Sequence, residues 1–324
     1  MRSLIKHYVK KLPGIRGLVR QRDELVQERE ALRNEAIRAQ AEADAFKKSH
    51  GFVPPGHFYS PIPDFEQVRC DAPRIFGQAP RRLPGIELNE QAQLDLLKQF
   101  IPYYRELPFR AEAQPGLRYY FDNPAYSWSD AILLHCMIRH LHPKRIIEVG
   151  SGYSSCMMLD TRELFFDAQI DTTFIEPYPE LLLSLLKPGD REAITVIPTR
   201  LQDVDPGVFE ALQARDILFI DSTHVSRIDS DVNYLLFTIL PRLAPGVRVH
   251  FHDIFYPFEY PEEWVNEGRA WNEAYILKAF LQYNSRFHVE LMNTYMELYH
   301  EDFFRKNLPL CLNNTGGSIW LCKE

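Results

Sequence analysis

The chain has 324 residues, 45% of them hydrophobic and 25% charged, an ordinary globular balance. A formal net charge of −7 argues against nucleic acid as the main partner, because binding phosphates requires a basic face. No apolar run reaches the roughly 18 residues that a bilayer-spanning helix needs, and the five cysteines (Cys70, Cys136, Cys156, Cys311, Cys322) form no C-x-x-C pair, which fits buried free thiols in a reducing cytoplasm.

The chain starts basic: residues 1–22 contain seven lysines and arginines and no acid. Lys6, His7, Lys10 and Lys11 interrupt any apolar core that a signal peptide would need. The segment is either a solvated basic start or an amphipathic helix that rests on anionic lipid or on a partner, so the protein is expected in the cytoplasm, with peripheral membrane contact open. From Ile15 to Phe46 the absence of proline and the wealth of Glu, Arg and Ala predict one long helix. Ile15, Leu18, Leu25, Leu32, Ala36, Ala39, Ala43 and Phe46 follow the alternating four-three spacing of a coiled-coil seam, interrupted by Arg22 and Arg29. Such a helix pairs with a copy of itself to make a homodimer, or lies along the rest of the chain.

The proline-rich stretch GFVPPGHFYSPIPD breaks the helix. The expected organisation is therefore a helical arm over 1–50, a linker and cap region over 51–118, and an α/β domain over 119–324. A helix is expected around Gln91–Ile101, and another starts at Ser127 or Ser129, either of which can cap it. From Arg145 onward short apolar strands alternate with helices: RIIEVG, TTFIEP, AITVIP, DILFID and GVRVHFHD. This alternation means crossover connections and a mostly parallel sheet covered on both faces. FHVELMN and GGSIWLC, with no long helix between them, complete seven strands as an antiparallel pair.

The first strand runs into EVGSGYSS. In an open parallel sheet, ligands bind beyond the carboxyl ends of the strands, where strand order reverses. Gly150 and Gly152 allow a tight turn and a close ligand approach. A dinucleotide turn would read G-x-G-x-x-G, whereas Ser155 takes the last place and Glu148 stands two residues before the first glycine. A carboxylate there suits a cationic ligand, an ammonium or sulfonium, better than a pyrophosphate. Glu176 closes the next strand, 24 positions after Gly152, where an acid can take both hydroxyls of a ribose.

The E-x-G-x-G turn followed by small residues resembles the first motif of class I S-adenosylmethionine-dependent methyltransferases, with Ser154 in place of the family's third glycine. The resemblance covers roughly Tyr119 to Glu324. It implies a doubly wound, Rossmann-like seven-stranded fold, S-adenosylmethionine as cofactor, and cofactor contacts at Glu148, Gly150, Ser151, Gly152, Glu176 and Asp221. It also implies that Gln202 or Asp203, in the TRLQDVD stretch after the third strand, meets the adenine. GHFYSPIPD, FIDSTH and FYPFEYPEEW are similar to a bacterial branch linked with surface polysaccharide synthesis. That likeness points to a small-molecule or glycan acceptor.

Methyl transfer from a sulfonium needs only an aligned acceptor and a group to take its proton. Asp221 and His224 lie at the end of the fourth strand, and His252 and Asp253 at the end of the fifth. His252 is the expected general base, with the other three as its setting. Period-two alternation places His250 and His252 on one side of the strand and Phe251 and Asp253 on the other. A divalent metal on Asp221, His252 and Asp253 is the alternative use of these groups. Tyr256, Tyr260, Trp264 and Trp271 either stack on a ring acceptor or form a packed lid. Two other functions remain in view: metal-dependent oxidation or hydrolysis on the same fold, and a non-catalytic coiled-coil scaffold carrying a degenerate nucleotide fold.

Overall fold

The computed structural model describes residues 13–49 and 52–324, so the basic start over 1–12 lies outside the described residues. The chain divides into two compact units, one ending at Val68 and the other running from Arg69 to Glu324. In the first, helix α1 (Pro13–Ser49) contains the long helix expected over Ile15–Phe46. Proline suits the start of a helix because its missing N–H would be unpaired there anyway. Across the described residues, no helix is long and apolar enough to cross a membrane.

The second unit is built on a seven-stranded sheet with strand order β3-β2-β1-β4-β5-β7-β6. The strands are β1 (Arg145–Val149), β2 (Asp171–Ile175), β3 (Thr195–Ile197), β4 (Ile217–Ile220), β5 (Arg248–His252), β6 (Phe287–Met292) and β7 (Ser318–Lys323). The first five are mutually parallel, and β7 runs antiparallel to both β5 and β6. The antiparallel pair is as expected, but β7 inserts between β5 and β6, leaving β6 at the edge. Every residue of β4 is buried, which explains its unbroken apolar run, and β7 is buried throughout as well, including its terminal Ser318 and Lys323. The strand order turns back between β1 and β4, and this reversal opens a crevice at their carboxyl ends.

Helices α2 (Glu90–Arg105), α3 (Trp128–Leu141) and α4 (Tyr153–Phe165) pack in succession, α2 on α3 and α3 on α4. Ser127 stands at the N-cap of α3 without making a cap hydrogen bond. Its hydroxyl accepts instead from Asn314 at 2.7 Å, and Ser129 is turned to the buried Glu297.

The structure places no seam at residue 118. The backbone N–H groups of Arg118 and Tyr119 donate to Asp160 of α4 at 2.7 and 2.8 Å. The Arg118 guanidinium, 4% exposed, also reaches Asp160, Glu163 and Asp190. A buried arginine is tolerable only when its donors are met by carboxylates like these, and removing one partner of such a set costs about 3–5 kcal/mol. Residues 69–118, expected as linker and cap, belong to the α/β unit, and only the part of that region up to Val68 falls in the first.

Candidate functional site

Gly150 closes β1 with φ +82°. Its N–H donates to Ile175 O, and the N–H of Asp221 donates to Val149 O at 2.8 Å. The second bond brings the end of β4 so close that a Cβ at position 150 would lie 2.1 Å from the Asp221 carbonyl oxygen. Glycine is therefore required here by a neighbouring strand, before any ligand is considered. Gly152 differs: its backbone is extended, and a Cβ would meet only the Leu181 side chain, at 3.4 Å.

The serines that replace the expected third glycine have a definite task. Ser154 and Ser155 donate to the two carboxylate oxygens of Glu148, each at 2.5 Å, and Ser155 also accepts from the Gly152 N–H. Glu148 is fully buried, and burial pushes its carboxyl up to about 8. This corrects the expectation of an acid facing a cationic ligand: Glu148 ties β1 to the first turn of α4 from inside.

A cavity of about 450 Å³ opens at the strand ends, walled by Gly150, Glu176, Gln202 and Asp221. Arg227 and Asp231 also line it, and neither was singled out from sequence. Glu176, at the end of β2, accepts from the Tyr178 N–H at 2.8 Å. Burial raises its carboxyl, against the opposing pull of the Tyr178 and Ser151 N–H groups. Gln202 donates to Asp229 O at 2.6 Å and so ties the loop after β4 to the turn after β3. Asp203 is held by Arg200 at 2.9 Å and is not on the wall. Glu148, Ser151 and Gly152 do not line it either, although the buried Ser151 hydroxyl beside the turn lacks a hydrogen-bond partner. A cavity at the switch point with the Glu176 carboxyl on its wall fits a bound nucleoside.

Behind Asp221 lies a cluster of charge. His224 Nε2 stands 3.4 Å from Asp221 and 3.5 Å from Asp253, while its Nδ1 donates to Glu273 at 2.9 Å. Ser222 donates to the same Glu273 oxygen at 2.9 Å. Burial would lower the imidazole, but Asp221, Glu273 and Asp253 outweigh it and push His224 up to about 10. In turn, burial would raise Asp221, yet His224 and His252 hold it below its usual value.

His252 Nε2 lies 3.4 Å from Asp253, and its buried Nδ1 has no partner. Burial disfavours its charged form, but Asp253, Asp221 and Asp130 together raise it. Strict alternation had put His252 and Asp253 on opposite faces. They meet because Asp253 leaves the strand at φ +56°. His250 is fully buried and stacks on Phe219 at 4.1 Å, and burial drives it well below the usual imidazole range. It belongs to the core.

Asp221, His224 and Asp253 each offer a ligand atom within 4.8 Å of the others. The structure thus sets His224 where the sequence suggested His252 as a metal ligand. Glu273 on the far ring nitrogen would fix its tautomer, as outer-shell carboxylates do for metal-bound histidines. The donor set fits a divalent metal.

Trp271 lies against the His224 ring at 4.4 Å, Trp264 packs edge-on to Trp271, and the Arg269 guanidinium sits 4.3 Å over Trp264. Tyr260 joins them, with its oxygen accepting from the Ala274 N–H. Tyr256 does not: it packs on Tyr295 and Tyr299. Sequence reasoning missed Glu273 and Asp130. Glu273 lies in RAWNEAY, a phrase notable for its aromatics, and Asp130 is far from the other members along the chain.

Residues 147–254 match a family model described as a methyltransferase domain. An uncharacterized protein of Archaeoglobus fulgidus is 35% identical over 165 residues, which cover 49% of this chain and 73% of that protein. Among solved structures, the O-methyltransferase TomG of Streptomyces achromogenes in complex with SAM is 15% identical with a TM-score of 0.41, covering 71% of this chain and 89% of that one. The SAH-bound methyltransferase PaMTH1 of Podospora anserina is 14% identical with a TM-score of 0.38, covering 85% and 99%.

Two outcomes follow from this geometry. Gly150→Ala destabilises the fold by about 2 kcal/mol or more, through positive φ and overpacking against Asp221, while Gly152→Ala leaves the urea midpoint nearly unchanged. Equal midpoints for the two variants would refute the steric account. His224 titrates above the free imidazole value of about 6.5, so its charge contributes fully below that pH and is lost as pH rises through about 10. With chelator present, the stability gap between wild type and His224→Gln therefore narrows from pH 6.5 to 10; a gap constant across that window would show that His224 carries no such charge.

Proposed function

We propose that this chain, whose residues 147–254 match a methyltransferase domain model, transfers a methyl group from S-adenosylmethionine to an oxygen of a small-molecule or glycan acceptor. The observation that carries this reading is the convergence of Gly150, Glu176 and Asp221 on one cavity at the switch point of the sheet. Glu176 takes the ribose hydroxyls. Of the two candidates after β3, Gln202 lies on the cavity wall and is the better placed to meet the adenine. The aromatic group around Trp271 lies beside the charge cluster and supports a ring-shaped acceptor such as a sugar. The glycan assignment itself rests on the resemblance. A family match disfavours both a non-catalytic scaffold and a hydrolase or oxidase on the same fold.

S-adenosylmethionine supplies a methyl group already activated for displacement. The chain's own residues must align the acceptor and receive its proton. His224, among three carboxylates, keeps its proton up to about 10 and makes a poor acceptor near neutrality. His252 is the base in this reading, with Asp253 at 3.4 Å to stabilise the imidazolium that results. A second reading is favoured by the compact Asp221, His224 and Asp253 set. There these three residues would hold a divalent metal, which would lower the pKa of an acceptor hydroxyl.

Calorimetric titration tests the cofactor assignment. Glu176→Ala weakens S-adenosylmethionine binding by about 1.5–3 kcal/mol, the worth of hydrogen bonds to a charged group; unchanged affinity removes Glu176 from the ribose. The base is tested by turnover. His252→Ala lowers it about 100- to 10,000-fold with cofactor affinity nearly intact. Near-normal turnover in that variant, together with loss of activity in chelator and in His224→Ala, would transfer the role to the metal-holding set.

A further inference from the structure

The long arm carries an unused surface. Helix α1 has 37 residues, about 55 Å of helix at 1.5 Å per residue. Leu18, Leu25 and Leu32 recur every seven residues and are 66%, 59% and 60% exposed in the single chain. Leucines at heptad spacing left in water are a surface that another helix would cover. A shallow groove runs along this face between Leu18 and Arg29.

The charges around that stripe identify the partner and its direction. With the leucines at d, Glu28, Glu35 and Glu42 fall at g, and Val19, Val26 and Arg33 fall at e. In a parallel pair each g residue faces the e residue five positions on in the other helix. Glu28 of each copy then meets Arg33 of the other, twice by symmetry. In an antiparallel pair g faces g, and the row of glutamates would confront a second row of glutamates. Val19 and Val26, next to the leucines at e, widen the seam. Arg22 and Arg29 occupy a positions, where polar groups lower stability and select one register. The Arg22 guanidinium is already drawn outward to Asp23, at 2.5 and 3.0 Å, leaving its alkyl stem beside the leucines. Arg29 lies next to the g position of Glu28 in a parallel neighbour.

We propose that α1 pairs with α1 of a second copy of this chain as a parallel two-stranded coiled coil, through Leu18, Leu25 and Leu32 and the crossed Glu28–Arg33 contacts. The partner is this chain itself, because one helix supplies both the acids and the bases of the seam.

Sedimentation of the full-length protein across a concentration series tests it. The wild type sediments as a dimer. The combined change Leu18→Ser, Leu25→Ser and Leu32→Ser yields a monomer, while the thermal transition of the α/β unit stays where it was, which separates loss of pairing from misfolding. Glu28→Arg and Arg33→Glu each weaken the dimer about tenfold, because each places like charges together at both crossed contacts. The two changes together restore wild-type dissociation. A wild-type monomer, a dimer that survives the three serine changes, or a doubly reversed variant no tighter than the single ones would overturn the parallel pairing.

Discussion

The approach of β4 to the turn after β1 governs the rest of the site. The Asp221 carbonyl oxygen sits where a side chain at position 150 would begin. That contact is possible only because Gly150 has no Cβ and adopts a positive φ. It brings Asp221 to the mouth of the cavity that Glu176 closes from the other side. Parallel strands of this kind are buried on both faces, so the only place where polar groups from several strands can meet a ligand is beyond their carboxyl ends. The cavity is thus a product of sheet topology, and one glycine permits its shape.

A second constraint acts just behind it. Four acidic or imidazole groups within a few ångströms cannot all be charged and unpaired in a largely dry environment. The chain resolves this by placing the cation of His224 among Asp221, Asp253 and Glu273. The same geometry suits a proton or a divalent metal at the centre, because either one neutralises the carboxylates. Glu273 matters in both cases: it takes the outer nitrogen of His224 and so determines which nitrogen faces the cavity side. Trp271 covers the imidazole and limits access of water.

The buried Glu148 shows how an acid beside a glycine turn can serve the fold instead of a ligand. An acid at that position reads from sequence as a ligand group. Here Ser154 and Ser155, the residues that break the glycine pattern, absorb both of its oxygens. The departure and the relocation are one event: remove the serines and the carboxyl would be buried without partners. The Arg118 cluster does comparable work along the second half of α4, where four charged side chains join a loop to the sheet-covering helices.

Much of this was legible in the residues alone. The strands of the sheet, their mostly parallel arrangement, the long arm, the glycine turn and the acid at the end of β2 all follow from patterns within about ten residues, where hydrophobic period and turn chemistry act directly. Gly150 and Glu176 were placed on a common ligand by that logic, Gln202 and Asp221 by the family resemblance, and the four share one wall. What required the fold were pairings between distant segments: Glu273 with His224 across 49 residues, Arg118 with Asp160 across 42, and β7 entering between β5 and β6. No local period encodes which buried acid will meet which buried base, because that choice is made by packing and by the need to neutralise charge once water is gone. The inward turn of Glu148 and the backward reach of Asp253 to His252 belong to the same class: sequence determined that these groups stand at strand ends, and only the tertiary structure decided which way each one faces.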